Sequence, residues 1–260
     1  MIQAESISKY LNVPLKITVF DTLESTNRTA REITQSAPNS DDQLIIARSQ
    51  TGGRGRMGRS FFSPDGGLYM SLLFHPDMTA ADAVKITASA AVAVARAIDS
   101  IAGTKSEIKW VNDVYIGGKK ICGILTEAQI RTDGSLEYVI LGIGINLVAP
   151  IGGFPDDIAD RAGAVFDTLP ADADNMLAAT VINEFTKIMH GGFDKALFLD
   201  EYRSRSCVIG REVDVMRIAD GVATPAVAVG IDDKCRLIVR FSDGTQEALG
   251  SGEVSIRERK

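Results

Sequence analysis

The sequence has few of the residues that build metal sites and disulfide frameworks. Its 260 residues include three cysteines and two histidines, and Cys122, Cys207 and Cys235 are far apart with no Cys-x-x-Cys pair. Structural zinc sites need closely spaced sulfur or nitrogen ligands, and disulfide-rich domains need paired cysteines. We therefore expect neither, and the unpaired cysteines favour a reducing, cytoplasmic location.

The sequence also lacks a long apolar run and an excess of basic residues. Its most apolar helical stretch, residues 79–101, is interrupted by charges such as Asp82 and Arg96, and residues 1–10 have no apolar core of a secretory signal. Both features argue against membrane insertion. The formal net charge is −6, whereas nucleic-acid-binding proteins usually carry a basic surface. We therefore expect neither a membrane nor a nucleic acid as a partner.

The order of hydrophobic patterns predicts an α+β protein. Strand-like runs separated by the tight-turn pairs Gly117-Gly118 and Asp133-Gly134 favour antiparallel neighbours over βαβ crossovers. The predicted strands are residues 15–20, 43–48, 68–74, 108–115, 120–129 and 136–145. The predicted helices are residues 27–35, 81–102, 175–190 and 195–203. We expect a mixed, mainly antiparallel sheet covered by helices.

The pattern changes after residue 205, which predicts a second domain. Short strands are expected at residues 212–218, 224–231, 236–241 and 246–249, with a turn at Asp243-Gly244. The predicted domains are residues 1–205 and a small β-domain at 206–260. About 20 residues precede the first motif of catalytic type, too few for a helix-turn-helix unit, so no N-terminal DNA-binding domain is expected.

The segment from Gly52 to Arg59 is the most unusual part of the sequence, because its eight positions hold four glycines and three arginines. Glycines let a backbone approach a ligand closely, and guanidinium groups match carboxylate and phosphate oxygens. No Lys-Ser/Thr pair follows, and the segment opens no helix, so it is neither a P-loop nor a dinucleotide fingerprint. We interpret it as an anion-binding loop; the alternative is a flexible Arg-Gly segment that binds RNA.

Three further motifs give the sequence a family resemblance. The Gly53–Phe61 segment matches GRGRxGRxF, residues 109–113 match KWxND, residues 120–125 match KxxGIL, and residues 142–146 are GIGIN. In this order they resemble the biotin protein ligases, as do residues 24–27 and Gln50. The resemblance implies a catalytic domain like that of class II synthetases, followed by an SH3-like domain. It departs at Val111, where proline is usual, and at Phe61, where tryptophan is common.

The resemblance implies activation of biotin by ATP to biotinyl-5′-AMP, release of pyrophosphate, and transfer of biotin to a lysine of a biotin carboxyl carrier protein, with Mg²⁺ on the phosphates. The implied biotin-binding residues are Ser25, Thr26, Gln50, Gly53, Arg54, Arg56, Lys120, Gly123 and Gly142. The implied ATP-binding residues are Arg56, Arg59, Lys109, Asn112, Lys120 and Asn146. Arg56, Lys120 and Asp113 are the implied catalytic residues, and Asp113 is a hypothetical base for the acceptor lysine.

Several alternatives stay open from the sequence. A lipoate or octanoate ligase would share the fold and also modify a carrier lysine, but its apolar tail pocket would not require the polar set of Ser25, Thr26 and Gln50. A biotin-sensing repressor would bind DNA as a dimer. Exposed edge strands are compatible with a homodimer. Residues 152–164 are expected to form a surface loop over the nucleotide.

Overall fold

The computed structural model describes residues 1–37, 40–194, 198–217, 222–250 and 254–258. One sheet contains β1 (Lys16–Leu23), β2 (Gln43–Gln50), β3 (Gly67–Phe74), β4 (Glu107–Lys109), β5 (Asp113–Ile116), β6 (Lys119–Ile130) and β7 (Leu136–Asn146). A second sheet contains β8 (Glu212–Arg217), β9 (Ala223–Ile231), β10 (Leu237–Phe241), β11 (Gln246–Leu249) and β12 (Val254–Glu258). The helices are α1 (Ala4–Ser8), α2 (Thr26–Ser36), α3 (Ala83–Ala102), α4 (Asp156–Ala159), α5 (Ala173–His190) and α6 (Leu199–Ser204).

The larger sheet has the strand order β1-β2-β3-β7-β6-β5-β4 and is mainly antiparallel, as predicted. The exception is the parallel pair β1 and β2, which α2 connects as a crossover. The expected sheet was mixed and mainly antiparallel, and this pair is its parallel part. Parallel neighbours need a long connection, and residues 24–42 supply one that contains α2.

The predicted strand 108–115 is wrong as a single element. The chain forms β4, turns at residues 110–112, and returns as β5, which pairs with β4 in antiparallel fashion. Long-range bonds fix this turn: Trp110 Nε1 donates to the Cys235 carbonyl at 2.9 Å, and the buried Tyr202 hydroxyl donates to the Val111 carbonyl at 3.0 Å. The peptide bond between Trp110 and Val111 is cis.

Helices cover both faces of the larger sheet, and strand alternation decides which residues meet them. On β7, Leu141, Ile143 and Ile145 belong to the main core with α3 and α5, whereas Ile140 lies in a small cluster with residues of α2. Gly142 and Gly144 continue the α2 face beyond Ile140 without side chains. This glycine-lined part of the sheet leaves room for the site described below.

The smaller sheet has the order β11-β10-β9-β8-β12, and its last strand in the chain has no counterpart among the predicted strands. The predicted helix at 195–203 appears as α6, and residues 195–197 of that prediction lie outside the described residues. Residue 218, the last of the predicted strand 212–218, lies outside them too. Ile108 N donates to the Arg205 carbonyl at 2.8 Å, and Cys207 N donates to the Ile108 carbonyl at 3.0 Å. The boundary predicted between residues 205 and 206 therefore falls within a backbone pairing to β4. No helix in the described parts of the chain is long and apolar enough to cross a membrane.

Candidate active site

A cleft that is open to solvent lies over the glycine-lined part of the sheet. All four sequence motifs contribute to it. The predicted residues that line it are Ser25, Thr26, Gln50, Arg54, Arg56, Arg59, Lys109, Asn112, Asp113, Lys120, Gly123 and Gly142.

Hydrogen bonds fix the floor of the cleft. Ser71 Oγ lies 2.7 Å from Thr26 Oγ1 and 2.6 Å from Asn27 Oδ1. Thr26 donates from its backbone N and its hydroxyl to Gln50 Oε1, at 2.9 and 3.2 Å, and Gln50 Nε2 donates to Ser63 Oγ at 2.9 Å. Gln50 therefore joins the start of α2 to the segment after the Arg-Gly loop. Such a floor is held in place before any ligand arrives.

Ser25 precedes α2 in an extended conformation and is 3% exposed. Its hydroxyl makes no cap hydrogen bond with the helix. Since Ser25 lines the cleft, this hydroxyl remains able to donate to and accept from a polar ligand.

Asn27 also lines the cleft but was not among the predicted site residues. Its Nδ2 donates to Glu127 Oε2 at 2.8 Å, and Arg31 pairs with the other oxygen of Glu127. A Cβ at Gly142 would lie 2.1 Å from Asn27 Oδ1, so only glycine fits opposite this amide. The signal for Asn27 was its place directly after Ser25 and Thr26, but its partners Ser71 and Glu127 are 44 and 100 residues away in the chain.

Phe61 closes one side of the cleft by packing on two glycines. A Cβ at Gly144 would lie 2.6 Å from the Phe61 ring, and one at Gly123 would lie 2.9 Å from it. The same ring is 5.8 Å from Lys120 Nζ and meets Tyr69 edge-on, with 6.4 Å between centroids. The aromatic residue of the first motif thus packs on the glycines of the third and fourth motifs and places Lys120 at the cleft.

The Arg-Gly loop is an ordered hairpin-like turn between β2 and β3. Arg54 bridges to Ser60, Gly55 N donates to the Arg59 carbonyl at 2.7 Å, and residues 56–58 form a short 3₁₀ turn. Met57 and Gly58 have φ of 58° and 72°, the left-handed region that favours glycine. The side chains of the loop arginines border the cleft, as expected of an anion-binding loop.

Basic side chains and one carboxylate lie together on the side of the cleft away from the floor, and we call this side the basic wall; it includes Arg56, Asp113 and Lys120. Lys120 Nζ lies 2.7 Å from Asp113 Oδ1, yet this buried oxygen has no hydrogen-bond partner of good geometry among the described residues. We treat the contact as an ion pair, because charge attraction depends on distance more than on angle. Arg56 Nη1 donates to Asn112 Oδ1 at 3.2 Å. Burial lowers the pKa of Arg56, and the nearby Asp113 charge opposes this shift.

Two predicted residues do not line the cleft. Gly53 is buried behind it, where a Cβ would lie 2.4 Å from both the Phe61 carbonyl and Ser63 Oγ. Asn146 is 9% exposed, and its Nδ2 donates to the Gly163 carbonyl at 2.9 Å. Gly163 in turn donates its N to the Lys120 carbonyl at 2.9 Å. Asn146 therefore holds residues 162–163 beside Lys120, and its expected nucleotide contact stays a prediction.

The donor set of the cleft limits how a cation could be held. Among the described residues, no group of three or more His, Cys, Asp or Glu side chains could hold a metal ion. Asp113 is the carboxylate among the lining residues, and it faces Lys120. A Mg²⁺ ion prefers oxygen ligands and often keeps waters and substrate phosphates in its shell. These residues therefore fit a cation that arrives on a polyphosphate better than one in a protein cage.

Comparison with known proteins places this cleft in a family. The model of the biotin/lipoate A/B protein ligase family matches residues 19–146, and that of the biotin protein ligase C-terminal domain matches residues 208–257. The bifunctional ligase/repressor BirA of Bacillus subtilis is 35% identical over 234 residues, which cover 87% of this chain and 70% of BirA. The chain belongs to the biotin/lipoate A/B protein ligase family.

Other members of this ligase family are similar in sequence and in structure. The biotin–[acetyl-CoA-carboxylase] ligase of Paracoccus denitrificans is 30% identical over 235 residues, 86% of this chain and 95% of that protein. The biotin protein ligase of Aquifex aeolicus in complex with biotin and ATP superimposes with a TM-score of 0.74 at 25% identity, covering 94% of this chain and 99% of that one. The predicted fold class and family resemblance are confirmed.

Proposed function

We propose that this chain is a biotin protein ligase, which activates biotin with ATP to biotinyl-5′-AMP and transfers biotin to a lysine of a biotin carboxyl carrier protein. One observation carries the proposal: four motifs distant in sequence surround one cleft, with a polar floor at one side and basic side chains at the other. Biotin has the matching division into a polar ureido ring system and a carboxylate tail.

The floor supports ring recognition. The ureido group has N–H donors and a carbonyl acceptor, and the Ser25 hydroxyl can serve either role. Gln50 Oε1 already accepts two hydrogen bonds from Thr26, so we assign Gln50 mainly to holding Thr26 in place. Gly123 and Gly142 line the cleft without side chains of their own, which lets Phe61 and Asn27 approach the sheet closely beside the ring system.

The basic wall supports the first reaction. The biotin carboxylate attacks the α-phosphorus of ATP, an O–P bond forms, and pyrophosphate leaves with the electrons of the broken P–O bond. Two anionic reactants must approach each other, so positive groups in fixed positions lower the barrier. We assign this role to Lys120, Arg56 and Arg59, with Arg54 near the carboxylate and Lys109 and Asn112 on the nucleotide side. Mg²⁺ bound to the ATP phosphates would offset the charge of the leaving pyrophosphate.

The second reaction needs an uncharged acceptor amine. A solvent-exposed lysine with its usual pKa of about 10.4 is mostly protonated at neutral pH, so it must lose a proton before it attacks the adenylate carbonyl. The amide bond forms as the acyl C–O bond to the phosphate breaks, and AMP leaves with the electrons of that bond. Asp113 is the carboxylate at the cleft, and its Oδ1 has no hydrogen bond of good geometry among the described residues. We propose that Asp113 positions or deprotonates the acceptor lysine after Lys120 has shifted towards the phosphate.

Three finer features belong to the same proposal. The acceptor is a biotin carboxyl carrier protein, as the name of the Paracoccus ligase suggests through its carboxylase. The location is the cytoplasm, where ATP is available and Cys122 stays a thiol. A homodimer would form through β1, because this edge strand of the larger sheet has several exposed positions; sedimentation at several concentrations tests it.

The deciding experiment is biotin-dependent exchange of labelled pyrophosphate into ATP. Parallel reactions contain lipoate or octanoate in place of biotin, and a further control contains EDTA instead of Mg²⁺. We expect exchange with biotin and Mg²⁺ only, because a site of hydrogen-bonding groups discriminates strongly against ligands that leave those groups unpaired. Exchange with lipoate or octanoate instead would transfer the assignment to the sister enzymes, and no exchange with any acid would refute ligase activity.

A further inference from the structure

Trp110 lies between the cleft and the C-terminal domain. Its side chain lines the cleft, the residue is 5% exposed, and Nε1 donates to the Cys235 carbonyl in the turn between β9 and β10. Two residues later in the chain, Asn112 accepts a hydrogen bond from Arg56. A displacement of Trp110 would therefore also move Asn112, two residues along the backbone, and disturb its hydrogen bond with Arg56 at the basic wall.

The turn that supplies this carbonyl is shaped by Asp232. Asp232 Oδ1 accepts hydrogen bonds from the backbone N of Lys234 and of Arg236, both at 2.9 Å, and Oδ2 accepts one from Arg236 Nε at 2.7 Å. Cys235 has φ of 59°, a left-handed conformation that a residue with a side chain seldom adopts without support. Two backbone bonds close the turn, from Cys235 N to the Asp232 carbonyl and from Asp232 N to the Arg236 carbonyl, both at 3.0 Å. The Asp232 carboxylate adds its three bonds to these, and the direction of the Cys235 carbonyl depends on the whole set.

A second set of contacts attaches the turn to the catalytic domain. Arg203 of α6 donates from Nε to the Ile231 carbonyl at 2.8 Å and pairs with Asp233 at 2.7 Å. The adjacent Tyr202 donates to the Val111 carbonyl. One short helix thus contacts both the turn and the segment at the cleft, which keeps their separation constant.

We propose that Asp232 is a positioning residue for adenylation: it shapes the turn whose Cys235 carbonyl holds Trp110, and through Trp110 it fixes residues 110–112 at the nucleotide side of the cleft. This rests on the proposed ligase function. The floor around Ser25 and Thr26 is held by a separate set of hydrogen bonds. Loss of the Asp232 carboxylate should therefore weaken the binding of ATP and leave the binding of biotin unchanged.

The test compares Asp232→Ala with a matched variant, Asp243→Ala. Asp243 shapes the turn between β10 and β11 in the same way, with Oδ1 accepting from Thr245 N at 2.9 Å and from its hydroxyl at 2.7 Å. Asp232→Ala should raise KM for ATP about tenfold, the usual scale for loss of one buried hydrogen bond, with the Kd for biotin unchanged. Asp243→Ala should change neither, and Asp232→Asn, which keeps an acceptor oxygen, should restore most of the ATP affinity.

Trp110→Phe, which removes the indole N–H, should raise KM for ATP to a similar extent, and the double variant with Asp232→Ala should be no worse than Trp110→Phe alone. This single variant still tests the proposal if Asp232→Ala fails to fold. Additive effects, an equal loss of biotin affinity, or equal effects of the two aspartate variants would overturn the proposal.

Tryptophan fluorescence tests the positioning role of Asp232 without any catalysed reaction, so its result does not depend on the ligase assignment. Trp110 is the one tryptophan of the chain, so tryptophan fluorescence reports on its surroundings alone. We expect a changed emission maximum in Asp232→Ala and none in Asp243→Ala. Unchanged emission in Asp232→Ala would refute the positioning role, whereas a wild-type protein without exchange activity would refute the ligase assignment alone.

Discussion

Replacement of Lys120 by methionine tests the chemistry of the cleft most directly. The Lys120 ammonium lies 2.7 Å from Asp113 and 5.8 Å from the centre of the Phe61 ring, and the side chain is 32% exposed. The methionine side chain is shorter only by the terminal atom and keeps an apolar stem beside Phe61 and Gly123, so the change removes mainly the charge. We expect pyrophosphate exchange to fall while the fold persists.

The size of the loss follows from the interaction removed. A hydrogen bond to a charged group contributes about 1.5–3 kcal/mol, and each 1.36 kcal/mol in the barrier is about a tenfold change in rate. Exchange should therefore fall about 10- to 150-fold. Transfer from purified biotinyl-5′-AMP to the carrier should fall less, because the adenylate already contains the new O–P bond.

The matched control is Lys105→Met, which removes the same charge from an exposed position in the loop between α3 and β4. Its exchange rate should equal that of the wild type. The Lys120 variant should also unfold at a lower urea concentration, since Asp113 keeps a buried oxygen without its cation. Wild-type exchange by Lys120→Met would remove this lysine from the mechanism.

Two further outcomes are expected. Gly144→Ala should lower the free energy of unfolding by about 1–3 kcal/mol, because its Cβ would lie 2.6 Å from the Phe61 ring. The control Gly230→Ala, whose Cβ has its nearest neighbour at 4.0 Å, should leave the free energy of unfolding unchanged. Equal urea midpoints of the two variants would contradict this packing. Burial raises the pKa of the Cys122 thiol and raises the pKa of Cys235 to about 12. Neither of these two thiols should therefore react with a disulfide reagent at pH ~8 until urea is added. Rapid reaction of Cys122 or Cys235 in the folded protein would be the contrary result. Because the unfolded thiols have a pKa of about 8.5, their contribution to stability is full below that pH and declines as the pH rises towards the higher pKa of the folded state.

The sequence predicted those parts of the site that are local in the chain. The Arg-Gly loop could be recognised because glycine and arginine alternate within eight positions, and strands such as β6 and β7 followed from apolar patterns between Gly-containing turns. These signals depend on neighbours in sequence. They therefore also predicted the mainly antiparallel order of the central strands.

The features that were missed depend on distant partners. Residues 108–115 have the apolar pattern of a strand, but the indole of Trp110 bonds to a carbonyl 125 residues away and the chain turns there. Asn27 bonds to Glu127 on β6, and Asn146 bonds to Gly163. Hydrophobic periodicity contains no information on such pairs. The turn at residues 110–112, the hydrogen bonds of Asn27 and the position of Asn146 outside the cleft could therefore not be predicted.

The backbone pairing of β4 with residues 205–207 has a practical consequence for any attempt to divide the protein. Truncation near residue 205 would remove the Cys207 N–H that meets the Ile108 carbonyl and would also leave the Trp110 indole without its acceptor. The exposed strand edge would then carry unpaired polar groups beside apolar side chains, a common starting point for aggregation. A catalytic fragment made in this way would be an unsuitable reference for the intact enzyme, whereas single substitutions in the C-terminal turn leave that edge covered.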